Sequence, residues 1–500
     1  MDIINNLLSI KIKKRIHLIQ KAIENPIEYQ DQILKSHISC AKNTLFGKQY
    51  DFHSIKSYTE FKNKVPINNY EDLKQYIEQT KKNGNNILWP GKVKWFSKSS
   101  GTTNNKTKFI PITKHSLHNN HFEAGKDMLA IYLNNFSSSK LLNGKSLMIG
   151  GSTSIDKFNS YYAGDLSAII IKNLPFWVQL KRSPSLKTAL LSNWEKKIDY
   201  IVNETIKSNI TSISGVPSWT LIVINKLLNK TGASCISDIW PNIELYMHGG
   251  VNFDNYQDSF NTLIYKKSIN YLNLYNASEG FFGIQYYANQ NDLLLLVHRG
   301  IFYEFIPIES GEEQNDQIVS LKNVKKNQIY SMVISTNGGL WRYKIGDTIK
   351  FTSLQPYKIE IVGRIQSFIN AFGEELNVYH ANQAINYAAK KTNATVSEYI
   401  AAPFFYQDKS GCHEWIVEFE KMPNCIIKFQ QFLDQKLKLL NSDYELKRDG
   451  DILIKKPIIH PVRKNFFYSI MKKEKKIGGQ NKIKRLHNNR NFIENLVKNI

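Results

Sequence analysis

Between about residues 93 and 362, short strand-like runs alternate with helical ones, and few architectures accommodate that alternation. Residues 146–150 read as a strand, 191–206 as a helix, 210–213 as a strand, 219–228 as a helix and 243–247 as a strand. Helices that return between strands set those strands side by side and parallel. The result is α/β layering, in which ligands collect at the carboxyl ends of the strands. From residue 293 the helices thin out. The runs 293–297, 302–306, 329–335 and 358–362 predict a β-rich subdomain on the same domain. Residues 1 to about 90 are mostly helical, with apolar positions spaced along 10–23 and 58–77. The pattern changes again towards the C-terminus. There, strands over 397–404 and 414–419 flank a polar turn at 408–411, a helix follows over about 429–440, and the tail is lysine-rich. The expected architecture is a large α/β domain over residues 1–375 with mixed and parallel sheets, and a smaller α+β domain over 376–500.

Four strand ends carry side chains suited to a nucleotide. Val93-Lys94-Trp95-Phe96 has strand character and runs into Ser99-Ser100-Gly101-Thr102-Thr103, followed by Lys106, Lys108 and Phe109-Ile110-Pro111. Glycine lets backbone N–H groups approach an anion, serine and threonine add short donors, and lysine adds charge. A Walker A loop is excluded, because no Gly-Lys-Ser/Thr opens a helix here. An ordinary surface turn is the alternative for this stretch alone. Met247-His248-Gly249-Gly250-Val251 ends a strand in a double glycine, which is either a tight turn or a flat edge for a planar ligand. Leu274-Tyr275-Asn276-Ala277-Ser278-Glu279-Gly280 offers an aromatic for stacking on a base and a carboxylate for Mg²⁺ between phosphates; Ser-Glu-Gly alone also suits a helix N-cap. In Trp341-Arg342-Tyr343-Lys344-Ile345-Gly346-Asp347 the carboxylate either accepts ribose hydroxyls or belongs to a β-turn.

Charge and cysteine usage narrow the class further. The formal net charge of +23 invites a nucleic-acid reading, yet most of the 66 basic residues are lysine. No arginine-rich run or arginine/aromatic interleaving accompanies them, so a solvated lysine surface is expected and nucleic-acid binding is not. Where lysine is the default cation, a retained arginine points to planar or bidentate contacts, and Arg342, Arg364 and Arg485 all fall inside motifs. Cys40, Cys235, Cys412 and Cys425 form no Cys-x-x-Cys pair and read as free thiols in a reducing compartment. The N-terminus lacks the apolar core of a signal peptide, and no apolar run reaches bilayer length. A cytoplasmic protein without a membrane partner is expected.

Taken in order, these stretches resemble the core motifs of the adenylate-forming superfamily, and more closely those of the GH3 family of acyl-acid amido synthetases, including its bacterial members. The match includes Ser99 to Pro111, His248 to Phe253, Tyr275 to Phe282, Phe302-Tyr303-Glu304-Phe305-Ile306-Pro307 and Tyr343 to Asp347. It continues through Gly363-Arg364 with Gly373-Glu374-Glu375-Leu376, and ends in Gly478-Gly479-Gln480-Asn481-Lys482-Ile483-Lys484-Arg485-Leu486. The family's terminal signature carries Pro where this chain has Lys484, a change that adds backbone freedom beside Lys482 and Arg485.

The resemblance implies a ligase that uses ATP and Mg²⁺. It would adenylate a carboxylic acid with release of pyrophosphate, then pass the acyl group to an amino-acid amine with release of AMP. Thioester formation on coenzyme A and a nucleotide-binding protein without turnover are the alternatives. In the implied scheme Ser99, Ser100, Gly101, Thr102, Thr103 and Lys108 hold phosphates. Gly249, Gly250, Val251, Tyr275, Asn276, Ala277 and Ser278 frame adenine, Asp347 and Arg364 hold the ribose, and Glu279 anchors Mg²⁺. Lys482, from a mobile small domain, reaches the α-phosphate, while Val216, Trp219 and His248 belong to the acyl pocket. The acid, the amine and the oligomeric state are not specified by these motifs.

Overall fold

The computed structural model describes residues 2–99, 107–150, 155–191, 193–250, 253–264, 269–288, 290–309, 312–364, 368–407, 410–464, 466–473, 485–498 and 500. The Ser100 to Thr103 part of the expected phosphate loop, Val251 and Lys482 lie outside the described residues. Two compact units emerge, one from Met1–Ser99 with Lys108–Ile365 and one holding Gln366–Ile500.

The first unit is built on one long mixed sheet. Its parallel part contains Lys145–Ile149, Ile210–Gly215, Leu245–Gly249 and Asn270–Ala277, each hydrogen-bonded to the next. A two-residue turn then reverses the chain into Gly280–Gln285. From there the sheet continues antiparallel through Leu293–Leu295, Tyr357–Arg364, Tyr343–Leu354, Ile329–Thr336 and Ile301–Glu309. The expected change from α/β to β-rich therefore occurs within a single sheet, at the Asn270–Ala277 strand. A separate small sheet carries the hairpin Trp95–Ser99/Lys108–Ile112.

Packing follows the strand periodicity. Met247, Leu272, Leu274 and Ile284 project to one face, where they meet Ile19, Ala130 and Ile131 from helices. The antiparallel part packs Phe302, Phe305, Trp341 and Phe351 against Phe46, Phe61 and Leu73 of the N-terminal helices. Each of the two apolar-spaced N-terminal stretches contains two helices. The 10–23 segment divides into Asp2–Lys13 and Ile16–Glu24, and 58–77 divides into Tyr58–Lys64 and Tyr70–Lys81 around Val65-Pro66, where the residue before proline leaves the helical region. The helical segment after Lys108–Ile112 includes a π-helix, Ser116–Phe122, before continuing as Glu123–Asn135. This wider turn presents Asn120 to the sheet.

A buried ionic cluster ties the helices to the sheet. Asp127 accepts from Arg15 Nη2 at 2.8 Å, from Arg299 Nη2 at 2.6 Å and from His298 Nε2 at 3.1 Å. Burial works against its charge, but the His298 and Arg299 bonds prevail and hold the carboxyl at about 2, below the ordinary 3.8. A carboxyl depressed in the fold contributes stability above its unfolded value and loses it as pH falls towards the folded one. The stability gap between the wild type and Asp127→Asn is therefore expected to narrow as pH falls from about 4 to 2, read by denaturant midpoints at each pH. A constant gap would remove the charge from this role.

The second unit contains a three-stranded sheet in which Gly411–Lys421 lies antiparallel to Thr395–Phe405 and parallel to Ile458–Arg463. Helices Val378–Lys391 and Ile426–Leu440 are further elements of this unit. The expected final strands and helix are present, with the 408–409 portion of the turn outside the described residues.

Candidate functional site

In a parallel sheet each strand delivers its last residues to the same edge. Here Ile149 pairs with Gly215, Ser214 with Met247, and Gly249 with Leu274, so Gly150, Val216 and Gly249-Gly250 end neighbouring strands, beside Tyr275 on the strand Asn270–Ala277. Gly249 is required by proximity, since a Cβ there would stand 2.4 Å from the Leu274 carbonyl oxygen. Gly250 has φ +82°, the left-handed region that a side chain disfavours, and the space its Cβ would enter is open. The double glycine therefore ends the strand without side chains, with Gly250 in a bend.

Ser278 and Glu279 form the whole turn between Ala277 and Gly280, which are cross-strand partners. The Ser-Glu-Gly sequence is therefore a hairpin tip and not a helix cap. Both residues are half-buried, while Asn276 is exposed. Two contacts tie this tip to the other motifs. Ser278 Oγ lies 2.8 Å from Ser97 Oγ on the strand that ends at Ser99. Ser99 is itself the cross-strand partner of Lys108, so the two ends of the expected phosphate loop stand side by side on that hairpin. The Lys108 ammonium lies 5.7 Å from the Tyr70 ring centroid.

The second contact is buried. The Tyr275 hydroxyl donates to Asp347 Oδ2 at 2.6 Å. The Tyr275 ring, 6% exposed, lies in the core with its centroid 4.9 Å from that of Phe282. Asp347 is not in a turn. It sits within the strand Tyr343–Leu354, in register with Arg364 on Tyr357–Arg364. Strand pairing thus brings the two expected ribose residues opposite each other.

The expected acyl residues surround the next two strand ends. Val216 is the N-cap of helix Pro217–Thr231, and Trp219 is buried in its first turn. His248 is buried and stacks on Phe253 with ring centroids 3.9 Å apart, and its Nδ1 has no hydrogen-bond partner among the described residues. Burial lowers its pKa to about 3, so the imidazole is neutral at ordinary pH.

Arg342 and Arg485 make the bidentate contacts expected of scarce arginines, but with protein carboxylates. Arg342 donates to Glu304 through Nε and Nη2, both at 2.9 Å, and Arg485 donates to Glu398 at 2.6 and 3.2 Å. Other contributors were not evident from the sequence. Asn120 accepts from the Phe281 N–H at 2.7 Å and donates to the Phe281 and Arg299 carbonyls, fixing the strand beyond Glu279. Buried Lys197 donates to the Gly150 carbonyl at 3.3 Å, and burial lowers its pKa to about 8. Ser97 could have been found, because it lies two positions before Ser99 and so faces the same side of the strand. Asn120 and Lys197 sit in ordinary helical contexts that carry no such signal.

Among the described residues no cluster of three or more His, Cys, Asp or Glu side chains could enclose a metal ion. A single carboxylate such as Glu279 nevertheless suits Mg²⁺ bound chiefly by substrate phosphates, since that ion commonly takes one or two protein carboxylates. No described helix is long and apolar enough to cross a membrane.

Comparison with known proteins gives a consistent relationship. The GH3 family N-terminal domain matches residues 15–269, its central domain 294–364 and its C-terminal domain 379–491. An indole-3-acetic acid-amido synthetase, GH3.4 of Arabidopsis thaliana, is 22% identical over 403 residues, covering 68% of this chain and 67% of that protein. The structure of AtGH3.15 acyl acid amido synthetase in complex with 2,4-DB superposes with a TM-score of 0.63 at 17% identity, over 98% of this chain and 96% of that one. A 2-hydroxyisobutyryl-CoA ligase in complex with 2-HIB-AMP and CoA shares the fold at a TM-score of 0.59 and 11% identity, over 96% and 93% of the two chains.

Proposed function

The chain belongs to the GH3 family, and from that premise we propose that it is an ATP- and Mg²⁺-dependent acyl-acid amido synthetase. It activates a carboxylic acid as its acyl-adenylate and transfers the acyl group to an amino acid. The supporting observation is the meeting of four sequence-distant motifs: Ser97 with Ser278, Tyr275 with Asp347, and Gly249 beside Leu274.

The chemistry explains why these residue types are needed together. Hydroxide is a poor leaving group, so a carboxylate acylates an amine only after its oxygen has been joined to a phosphorus. In the first step a carboxylate oxygen attacks the α-phosphorus of ATP and pyrophosphate departs. In the second the amine attacks the acyl carbon, loses a proton and expels AMP. Two anions must meet in the first step, so alignment and charge neutralisation carry most of the rate. Ser99 to Thr103 and Lys108 hold the outer phosphates. The Gly249-Gly250-Val251 edge and Tyr275 to Ser278 frame adenine, while Asp347 and Arg364 fix the ribose. Glu279 would hold Mg²⁺, which supplies charge neutralisation at the phosphates. Lys482, in the small domain over residues 376–500, would serve the α-phosphate, as the family resemblance implies, and a change of pose between the two steps would let one site serve both. Val216, Trp219 and neutral His248 line the acyl side.

Acid-dependent exchange of labelled pyrophosphate into ATP tests this reading. With a broad panel of carboxylic acids, at least one acid is expected to drive exchange, and an amino-acid mixture should then yield an amide and AMP. ATP binding with no exchange for any acid would refute the proposal. A thioester formed with free coenzyme A, and no amide, would instead make the protein a CoA ligase.

A further inference from the structure

Tyr275 is expected, from its motif, to serve as a face for the base. Its surroundings favour another task. The ring is 6% exposed and belongs to the same apolar core as Phe302 and Trp341, with Phe282 against it. The polar end reaches across the sheet to a residue 72 positions away in sequence, bonding Asp347 Oδ2 at 2.6 Å in a buried setting. That length is typical of a hydroxyl donating to an ionised carboxylate, a class of bond about twice as strong as a neutral one.

We infer that Tyr275 is a positioning residue that orients the Asp347 carboxylate for the ribose hydroxyls of ATP. The inference rests on the proposed ribose role of Asp347. The strand Tyr343–Leu354 fixes the Asp347 backbone, but a carboxylate on a strand still turns about two side-chain bonds. Anchoring one oxygen from a rigid, core-packed phenol removes that freedom before the nucleotide arrives. The ribose hydroxyls, both donors, then meet acceptor lone pairs already aimed, and less ordering entropy is lost on binding. The phenol also offsets the desolvation of a carboxylate that is only 7% exposed. A tyrosine used this way reads the sugar through its neighbour and contributes to the base site mainly as a wall.

Equilibrium binding separates this task from structural or stacking roles, and it needs no knowledge of the acid. The full-length wild type, Tyr275→Phe, Asp347→Asn and the double variant are titrated with ATP and with 2′,3′-dideoxy-ATP by calorimetry. Wild type is expected to prefer ATP by about tenfold or more, the loss typical of hydrogen bonds to a charged group. Tyr275→Phe keeps the ring and its packing. It should weaken ATP by about tenfold while leaving dideoxy-ATP within about threefold, so that the preference collapses. Adding Asp347→Asn should then cost little more. Equal weakening of both nucleotides, or an unchanged preference, would overturn the inference and return Tyr275 to the base or to the core. A wild type indifferent to the sugar hydroxyls would refute the Asp347 assignment, and the inference with it. That failure is distinct from an absence of pyrophosphate exchange, which bears on the reaction and not on the sugar.

Discussion

Arg342→Ala is expected to destabilise the large unit by about 3–5 kcal/mol, enough to shift its denaturant midpoint well below that of the wild type. The side chain adjoins the Tyr343 to Asp347 segment that resembles a family motif, so lost activity in such a variant would invite a catalytic explanation. Its contacts argue otherwise. Arg342 and Glu304 side chains are 3% and 1% exposed, and Nη1 of the guanidinium donates to the Val65 and Lys62 carbonyls at 2.6 and 2.9 Å. Tyr58 adds a hydrogen bond to Glu304 at 3.1 Å. The pair therefore fastens the segment around Pro66 to the antiparallel strands. Truncating the arginine strands a buried carboxylate, which accounts for most of the cost. Replacing both partners, as in Arg342→Met with Glu304→Leu, removes the orphan and should recover much of the loss. A single variant that unfolds with the wild type would show that the pair has no such role.

Glu279→Ala is expected to lower Mg²⁺-dependent adenylation by about 100- to 1,000-fold while leaving the fold intact. Glu279 occupies one of two turn positions in a hairpin whose strands are held by backbone pairing and by Asn120, so little packing is at stake. Acid-dependent pyrophosphate exchange reads the catalytic loss, and a thermal melt reads the fold. Glu279→Asp, which retracts the carboxylate by one methylene, should keep part of the rate but need more Mg²⁺. Full exchange in the alanine variant would take the metal role away from this residue.

The architecture was largely legible because it rests on local pattern. Alternating apolar runs specify strands, helical periodicity specifies the layers between them, and double glycine or Gly-Asp endings mark where strands stop or bend. The order of these marks was enough to indicate the family. Element boundaries were less legible where a single residue intervenes, as at Val65-Pro66, or where one turn widens into a π-helix at Ser116–Phe122. The helix-cap reading of Ser278-Glu279 failed for a similar reason. Local sequence suits both a cap and a hairpin tip, and the pairing of Ala277 with Gly280 decides between them.

What each site residue touches could not be read from the chain. Sequence alone specified that strand and helix alternate from about residue 93, that strands dominate from about 293, that hydroxyl and glycine groups close several strands, and that arginine is reserved for planar contacts. Tertiary structure alone determined that Tyr275 meets Asp347, that Ser97 meets Ser278, and that Arg342 serves Glu304 and not a ligand. The reason is register. A side chain's face and partner depend on how strands far apart in sequence align, and a shift of one residue reverses every face. That alignment is set by the summed packing of the whole sheet, which no single motif encodes.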